Sequence, residues 1–527
     1  GALTVCFLHS YNNPVHELMA VERLREILPN WFICSSAEVL PEMREYERFN
    51  TTVLNAYIGP ITKRYLQTLT DELCARGYKN TIYLMISSGG IVTAKRASRF
   101  PIQTVLSGPA GGVAASRHLG MLVNVPNLIT YDMGGTSTDV CLIRDLNLPM
   151  TSEQFISGNA IRIPQIEIAS VGAGGGSIAW IDDGRILSVG PRSAGAIPGP
   201  ACYNCGGAEP TVTDANLILG RLSSEMKLGG SVVLRKDKAL KAIRKIISEF
   251  PELDAKSASE GVLRIAGARM ITAIKQISIS QGHDPRDFAL LAYGGAGPMH
   301  AAAVAEAMEV SHVIIPPGPG NFSAFGALIS DVRHDYVKSH LLDTQNTSFN
   351  IIEQQFSEME VSALANMKEE GFSENHIYFT RACGMRYLGQ SWDLTVAVIP
   401  EISSTDELIR DFFATFKKRF GYLTNSPVEI VSFHISAFGR VEKPHLERWK
   451  FKGALVDAAK GTRAVFFSGQ DLETTVYSRV ELPINAKFDG PAIIEEMGSI
   501  TVVPPGWRVK VGEYGELHLN WIKDGVR

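Results

Sequence analysis

Apolar runs and amphipathic patterns alternate along the chain up to about residue 335. The runs at 81–86, 288–293 and 313–315 are typical of buried strands, and each ends in a turn rich in glycine or proline. Other segments, such as 262–277, repeat apolar positions at helical spacing. Strands and helices in this alternating order predict an α/β core.

Two helix predictions are specific enough to compare with a structure. Residues 60–77 are predicted to form an amphipathic helix with one apolar side made of Ile61, Tyr65, Leu66, Leu69 and Leu73. A second helix is predicted to start with a capping box at 257–260, in which serine and glutamate side chains bond free backbone amides.

The pattern changes near residue 340. Helices are predicted over 351–370 and 405–421, and short strands at turn spacing follow them. The chain is therefore expected to divide into residues 1–58, 59–340 and 341–527, with a β-rich α+β C-terminal domain. The apolar run at 3–8 predicts a strand at the very start, so the chain is expected to begin inside a domain.

Composition restricts the class of protein. The 527 residues are 45% hydrophobic and 20% charged, with a net charge of −4, as in a globular protein with a large core. The sequence contains no long basic run and no apolar stretch long enough to cross a bilayer, so neither nucleic acid nor a membrane is expected as a partner. Seven scattered cysteines favour reduced thiols and a cytoplasmic location.

The segment YDMGGTSTDV, residues 131–140, carries the clearest chemical pattern. An apolar run, two glycines and a second apolar run predict a strand, a tight turn and a strand. Gly134 and Gly135 can adopt backbone angles closed to other residues, so their amides could form a phosphate-binding hollow. Asp132 and Asp139 would repel phosphate unless Mg²⁺ lay between the carboxylates and the phosphate. A glycine hairpin with solvated side chains is the alternative.

A second glycine-rich element, LLAYGGAGPMH, spans residues 290–300. A strand, a glycine loop and a helix start form a common nucleotide-binding arrangement, because glycine permits close approach and the helix start offers free amides. An ordinary tight turn between strand and helix is equally compatible with this pattern.

The order of these two elements resembles the second half of the fold of actin, the sugar kinases and the heat-shock chaperones. In that fold two similar domains clamp ATP, and each provides a phosphate hairpin. The resemblance implies that 132–139 is the second phosphate hairpin and 294–298 the adenosine loop. The first hairpin is not found in the sequence, so residues 1–58 are interpreted as the remnant of an incomplete first domain, and 59–340 as the core domain.

A more specific resemblance extends from about Leu3 to Leu519. Ten segments, in the same order, resemble the hydantoinase A/5-oxoprolinase family: LHSYNNPVHE (8–17), SSAEVLPEMREYERFNTTVLNAYIGP (35–60), LSGPAGGV (106–113), YDMGGTSTDV (131–140), VGAGGGSIAWID (171–182), GPRSAGAIPGPACY (190–203), EPTVTDANLILGRL (209–222), GHDPRDFALLAYGGAGPMHA (282–301), PGNFSAFGALISDVRHDY (319–336) and GPAIIEEMGSITVVPPGW (490–507).

This resemblance implies an ATP-dependent hydrolase subunit that opens a cyclic amide such as a hydantoin, 5-oxoproline or a lactam. It also implies a B-type partner subunit or domain, hence a hetero-oligomer or dimer. A related branch forms subunits of acetone and acetophenone carboxylases, which the sequence separates poorly from the hydrolases. A non-catalytic nucleotide-binding scaffold for the B-type partner is the alternative of another class.

The resemblance also assigns roles to residues. ATP phosphates would be held at Gly134, Gly135, Thr136 and Ser137, with Mg²⁺ at the catalytic residues Asp132 and Asp139, directly or through water. The nucleoside would lie against Gly294, Gly295 and Gly297. Weaker candidates for the substrate side of the cleft are Gly175, Ser177, Ser193 and His300, although His300 could equally serve helix packing.

Four further residues have two interpretations each. Cys202 and Cys205 form a CxxC that could bind zinc, but a structural zinc needs four ligands and no second CxxC lies nearby. Glu209 and Asp214 could be ligands or acid/base groups, and a turn acid and a helix cap are somewhat favoured.

Overall fold

The chain folds into two compact units, each assembled from separate stretches of sequence. The computed structural model describes residues 1–156, 158–225 and 227–522. The first unit comprises 1–107, 150–166 and 330–443, and the second comprises 108–149, 167–329 and 444–527. The three consecutive domains expected from the sequence stay a prediction, and the last five residues of the third lie outside the described residues.

The first unit is built around a six-stranded sheet. Its strands lie in the order Leu394–Val398, Ile377–Tyr387, Val428–Gly439, Val332–Asp343, Ile91–Thr93 and Tyr83–Met85. Two smaller pairs are Ala2–Val5 with Phe32–Ser35, which is parallel, and Met150–Ile156 with Asn159–Ile166, which is antiparallel. The helices are Val15–Ile27, Ser36–Val39, Glu45–Ala75, Ala94–Arg99, Phe349–Glu369 and Thr405–Phe420.

The second unit contains an eight-stranded sheet and the larger core. The strand order is Lys487–Asp489, Trp507–Val511, Leu517–Trp521, His312–Ile315, Ala289–Tyr293, Leu128–Met133, Thr138–Ile143 and Ala169–Val171. A four-stranded sheet comprises Ala459–Phe467, Gln470–Ser478, Ala492–Glu496 and Ser499–Val503, and the shorter pairs are Ser177–Ile181 with Leu187–Ser193 and Lys227–Leu228 with Val232–Val233. The helices are Ser107–Leu122, Val212–Ile218, Lys236–Ile247, Ala255–Ile277, Gly297–Ala307 and Phe322–Ile329.

The predicted start of the helix over 60–77 is wrong. The helix runs from Glu45 to Ala75 and contains Pro60 in its interior. The predicted apolar side is also wrong, because Leu66 is buried whereas Ile61 and Tyr65 are 72% and 61% exposed. The buried side consists mostly of small or polar residues, and an ideal Cβ on Gly59 would lie 2.6 Å from Cε1 of Phe32.

The predicted capping box at 257–260 is also wrong. The helix Ala255–Ile277 starts three residues earlier, and Asp254 is its N-cap. The carboxylate of Asp254 accepts a hydrogen bond of 2.7 Å from the amide of Ser257, so an aspartate provides the bond that was expected of the serine. Among the described residues, no helix is long and apolar enough to cross a membrane.

Candidate active site

The two aspartates of the central motif face each other at the end of a β-hairpin. Strands Leu128–Met133 and Thr138–Ile143 are antiparallel, with Asp132 directly opposite Asp139. Residues opposite each other in such a pair project from the same face of the sheet, so both carboxylates lie on one side. The turn is closed by a hydrogen bond of 3.1 Å from the amide of Gly134 to the carbonyl of Ser137.

The glycines of this turn differ from the expectation in one respect. Neither Gly134 nor Gly135 has the left-handed conformation that the sequence suggested. An ideal Cβ at either position would meet nothing within 4 Å. Together with the exposed side chain of Thr136, these glycines border open space in front of the turn. The turn therefore has room for a ligand, but not because of unusual backbone angles.

A second glycine segment lies against this turn. The amide of Gly175 donates to the carbonyl of Gly134 at 3.0 Å, and the amide of Gly176 donates to the carbonyl of Gly135 at 2.6 Å. An ideal Cβ on Gly174 would lie 2.6 Å from the carbonyl carbon of Gly135, so no larger residue fits without displacing the turn. Nothing in the sequence indicated that these two segments are neighbours. In the structure, backbone hydrogen bonds join them.

The loop after strand Ala289–Tyr293 meets the same hairpin at Asp132. This strand is parallel to Leu128–Met133, and Tyr293 pairs with Asp132. Gly294 has a φ of +81°, and an ideal Cβ there would lie 2.5 Å from Oδ1 of Asp132. The amide of Ala296 donates to the carbonyl of Met133 at 2.9 Å. The two glycine-rich elements singled out in the sequence are therefore direct neighbours.

The two carboxylates have no neutralising partner among the described side chains. Burial, and then the neighbouring Asp139, raise the pKa of Asp132 to about 6, and a hydrogen bond from Ser323 at 3.2 Å partly opposes this shift. Burial also raises the pKa of Asp139. Within the part of the chain that the structure describes, no cationic side chain forms an ion pair with either carboxylate. Two facing carboxylates without a counter-charge suit a hard divalent cation.

Of the weaker candidates, Gly175 contacts the hairpin directly, and Ser193 borders the neighbouring Gly176. An ideal Cβ on Gly175 would lie 3.0 Å from Oγ1 of Thr213 and 3.9 Å from the carbonyl oxygen of Gly134. The hydroxyl of Ser193 accepts from the amide of Gly195 at 3.1 Å, and it borders Gly176. Ser177 is fully buried, and its hydroxyl accepts a hydrogen bond of 2.8 Å from the amide of Gly174. It therefore stabilises the glycine segment from the core.

His300 lies in the protein core. Its ring is only 3% exposed, and Nε2 lies 3.3 Å from the side-chain nitrogen of Asn216. Burial and the charge of Arg221 lower the pKa of His300 to about 3, so the ring is neutral at ordinary pH. This surrounding favours packing of the helix Gly297–Ala307 over direct contact with a substrate.

Asp214 is a helix cap. Its carboxylate is fully buried and accepts hydrogen bonds from the amide and hydroxyl of Thr211, at 3.0 and 2.7 Å, and from the amide of Cys202 at 2.7 Å. Glu209 forms an exposed ion pair with Lys245 at 3.0 Å. The interpretation as turn acid and helix cap is therefore the one that the geometry supports.

The two cysteines of the CxxC lie in different surroundings. Cys202 is fully buried and burial raises the pKa of its thiol, whereas Cys205 is exposed. No group of three or more histidine, cysteine, aspartate or glutamate side chains arranged to hold a metal is found in residues 1–156, 158–225 and 227–522. Since a structural zinc needs four ligands, the described residues offer no zinc site at this motif.

Sequence reasoning missed two parts of the site. Ser323, in the helix Phe322–Ile329, donates to Asp132, and the turn at Gly498 lies beside Gly295. Both belong to segments that had been noted only for their resemblance to a family, PGNFSAFGALI and EEMGSITVV. That resemblance was the available signal, because nothing in the local pattern of either segment indicates a ligand site.

Comparison with known proteins gives this geometry a context. The family model described as hydantoinase/oxoprolinase matches residues 48–336, and the model of the hydantoinase/oxoprolinase C-terminal domain matches residues 342–522. The chain belongs to the hydantoinase/oxoprolinase family. The resemblance seen in the sequence is thus confirmed, and both glycine-rich elements lie within the first matched region.

Relatives in this family include enzymes of two kinds. The caprolactamase subunit alpha of Pseudomonas jessenii is 36% identical over 97% of this chain and 75% of its own length. The acetophenone carboxylase gamma subunit of Aromatoleum aromaticum is 31% identical over 98% of this chain and 73% of its own length. Both relatives are named as subunits, and one is named for a hydrolase and the other for a carboxylase.

Solved structures confirm a mixed α/β fold. The ATP-dependent caprolactamase from Pseudomonas jessenii superposes with a TM-score of 0.84 at 34% identity, covering 98% of this chain and 76% of that structure. A nucleotide-free acetone carboxylase, described under ATP-dependent acetone carboxylation, superposes with a TM-score of 0.81 at 25% identity and the same coverage. The α/β class expected from the sequence is therefore confirmed.

Proposed function

We propose that this protein is the ATP-dependent subunit of an enzyme that opens a cyclic amide. The observation that carries the proposal is the pair of facing carboxylates, Asp132 and Asp139, at the meeting point of three glycine-rich segments. Membership of a family with a caprolactamase as a relative supports the same substrate class, which includes hydantoins, 5-oxoproline and lactams.

The residues present fit Mg²⁺ and a nucleotide. Mg²⁺ is commonly held by one or two carboxylates together with phosphate oxygens, and the two half-buried aspartates supply that number. Gly134 and Gly135 leave open the space that side chains would fill. Bound Mg²⁺ would neutralise phosphate charge there.

Roles then follow for the other residues. The amides of Gly135, Thr136 and Ser137 and the hydroxyls of Thr136 and Ser137 would bind phosphate oxygens next to Gly134, whose own amide closes the turn. Gly294, Gly295 and Gly297 would border the nucleoside. Gly175 and Ser193 would line the substrate side, whereas Ser177 and His300 would support it from the core. In this arrangement the protein acts mainly by positioning ATP and the cyclic amide and by stabilising the charge of the phosphates.

The chemistry explains why ATP is needed. An amide carbonyl is a poor electrophile, so direct attack by water is slow. Transfer of the terminal phosphoryl group of ATP to the amide oxygen releases ADP and prepares the carbon for water. Attack by one water expels the ring nitrogen and leaves an acyl phosphate, and a second water then releases phosphate to give the open amino acid. In balance, one cyclic amide, one ATP and two waters give one amino acid, ADP and phosphate.

We further propose that the nucleotide is clamped as in the actin and sugar-kinase fold, and that a B-type subunit completes the reaction. The second proposal is supported by the subunit names of the relatives. An ATP-dependent ketone carboxylase is the second candidate, because an acetophenone carboxylase subunit and an acetone carboxylase structure resemble nearly the whole chain.

Measurement of ATP hydrolysis tests the proposal. The whole protein, co-expressed with its B-type partner, would be assayed with hydantoin, 5-oxoproline and caprolactam, and with acetone plus bicarbonate. We expect one cyclic amide to stimulate ADP release, with one ring opened per ATP. Stimulation only by ketone and bicarbonate together would instead establish the carboxylase. ATP hydrolysis that responds to none of these compounds would support a nucleotide-binding scaffold.

A pair of variants tests the site itself. Asp132→Asn removes one charge from the facing pair and is expected to lower kcat on the order of 10²-fold, because removal of one group that stabilises charge in a transition state typically has an effect of about that size. Asp183→Asn, at an exposed turn, should leave the rate unchanged. An Asp132→Asn variant as active as the wild type would contradict this assignment.

A further inference from the structure

A turn of the C-terminal strands reaches the glycine loop that follows Tyr293. Strands Ala492–Glu496 and Ser499–Val503 are joined by Met497 and Gly498. The hydroxyl of Ser499 donates to the carbonyl of Gly294 at 3.4 Å, and an ideal Cβ on Gly295 would lie 3.6 Å from the carbonyl oxygen of Gly498. This turn, Glu496–Ser499, is called the Met497 turn below.

The Met497 turn is held firmly on its other side. An ideal Cβ on Gly320 would lie 3.0 Å from the carbonyl oxygen of Gly498. Glu496 lies 3.5 Å from Arg479, and this buried guanidinium donates through Nη2 to three backbone carbonyls, including that of Gly515 at 2.7 Å. A buried charge with several partners fixes the turn, so its position beside the loop is a built feature of the unit.

Met497 itself is 85% exposed. A single exposed apolar side chain is ordinary on a protein surface, so exposure alone indicates nothing. Its location is informative, because Gly294 packs against Asp132 and the adjacent Gly295 lies beside the carbonyl of Gly498, the residue that follows Met497. The phosphate end of a nucleotide would lie at Asp132, and the far end would then extend toward Met497.

We infer that Met497 forms one wall of the subsite for the nucleotide base. This inference rests on the proposed function, in which the Tyr293 loop borders the nucleoside. A purine presents a flat apolar face, and the flexible, polarisable thioether of methionine makes favourable contacts with aromatic rings. Met497 is therefore a specificity residue for the base and takes no part in binding phosphate.

Comparison of ATP with inorganic tripolyphosphate separates the base from the phosphates. Calorimetric titration with each ligand, in the presence of Mg²⁺, would be done on the whole protein carrying Met497→Ala, Met497→Leu or no change. We expect Met497→Ala to weaken ATP binding by about three- to tenfold, which is the size of a sulfur–aromatic contact, and to leave tripolyphosphate within about twofold. Met497→Leu, which keeps an apolar wall, should stay close to the wild type.

The control is Met121→Ala, the same change at an exposed methionine in the last turn of helix Ser107–Leu122. It should change neither affinity. Equal ATP affinity in Met497→Ala and the wild type would overturn the inference and leave the proposed function standing. A parallel loss of ATP and tripolyphosphate would overturn it too, because the residue would then act on the whole site. A wild type that binds neither ligand would refute the proposed function, and the inference with it.

Discussion

Gly294 shows most clearly how one residue determines the geometry of the site. Its φ of +81° lies in the region that favours glycine, and the position of a Cβ is occupied by the carboxylate of Asp132 and the carbonyl of Met133, each at 2.5 Å. Either constraint alone would favour glycine. Together they mean that the carboxylate of Asp132 and the loop pack so closely that no side chain fits at position 294.

A pair of glycine substitutions separates these two constraints. Gly282 has a φ of +80° but nothing within 4 Å of its Cβ position, so Gly282→Ala should cost only the conformational term, about 1–2 kcal/mol. Gly294→Ala should cost an additional 1–3 kcal/mol or so, because the new methyl group overpacks the site. Chemical unfolding of both variants measures the difference. Equal losses would mean that the crowding around Gly294 relaxes freely.

At this scale the sequence predicted the hairpin that carries the two aspartates but not the side chain that bonds to Asp132. Period-two alternation implies that Asp132 and Asp139 share a face once the hairpin is recognised, and the pairing has them opposite each other. The hydrogen bond from the hydroxyl of Ser323 to Asp132 could not be predicted, because the two residues are 191 positions apart and the segment around Ser323 shows only a short apolar helix. Contacts of that kind depend on the tertiary fold alone.

At the scale of the elements, the short helix Val212–Ile218 begins with a fully buried cap. Asp214 and Thr211 form a capping box, and the same carboxylate accepts from the amides of Ala201 and Cys202 at 3.3 and 2.7 Å. One buried side chain therefore satisfies donors from the helix and from the glycine-rich loop that precedes it. Loss of this carboxylate would leave several buried amides without acceptors.

Alanine at one carboxylate in each of two helix caps tests this difference between a buried cap and an exposed one. Asp214→Ala should lower the free energy of unfolding by at least about 3 kcal/mol, since each buried donor left unsatisfied costs about 1–3 kcal/mol. Asp254→Ala, at the exposed N-cap of helix Ala255–Ile277, should cost about 1 kcal/mol. Urea unfolding monitored by circular dichroism provides both values. A loss at Asp214 no larger than that at Asp254 would contradict the role of Asp214 as a shared cap.

The long helix Glu45–Ala75 shows why element boundaries were harder to predict than elements. Proline favours a helix start, yet Pro60 lies in the interior of this helix. Because proline has no backbone N–H, the helix lacks one hydrogen bond at this position. The buried side could not be recognised from hydrophobicity, because it contains Thr51 and Asn55, whose side-chain oxygens accept from the amides of Arg162 and Ile102. Buried polar residues with partners look, in a sequence, like an exposed face.

At the scale of the whole molecule, the second unit joins strands that are far apart in the sequence. Strand His312–Ile315 lies between Ala289–Tyr293 and Leu517–Trp521, so the last described strand is a direct neighbour of the strand that follows the glycine loop. The sequence predicted short strands near the C-terminus but gave no means of assigning them to this sheet. Pairing between distant strands is decided by side-chain fit across the sheet, which a local pattern does not encode.

This arrangement predicts what removal of residues 444–527 would do. Strand His312–Ile315, with Val313 and Ile314 fully buried, would become an open apolar edge, and the core would lose Trp507, the largest fully buried side chain. Loss of one buried tryptophan alone costs about 3–5 kcal/mol, and a whole domain is stable by only about 5–15 kcal/mol. The shortened chain is therefore expected to lose the cooperative unfolding of the second unit, and ATP binding with it, in thermal melts and titration.

Supplying residues 444–527 as a separate polypeptide is the matched control, since it restores the missing strands without restoring the peptide bond. Recovery of the melting transition and of ATP binding on mixing would show that the loss arises from the sheet and not from the cut itself. A shortened chain that melts at an unchanged temperature and still binds ATP would mean instead that the C-terminal strands form a separate domain. In that case the site at Asp132 would not depend on the Met497 turn for its stability.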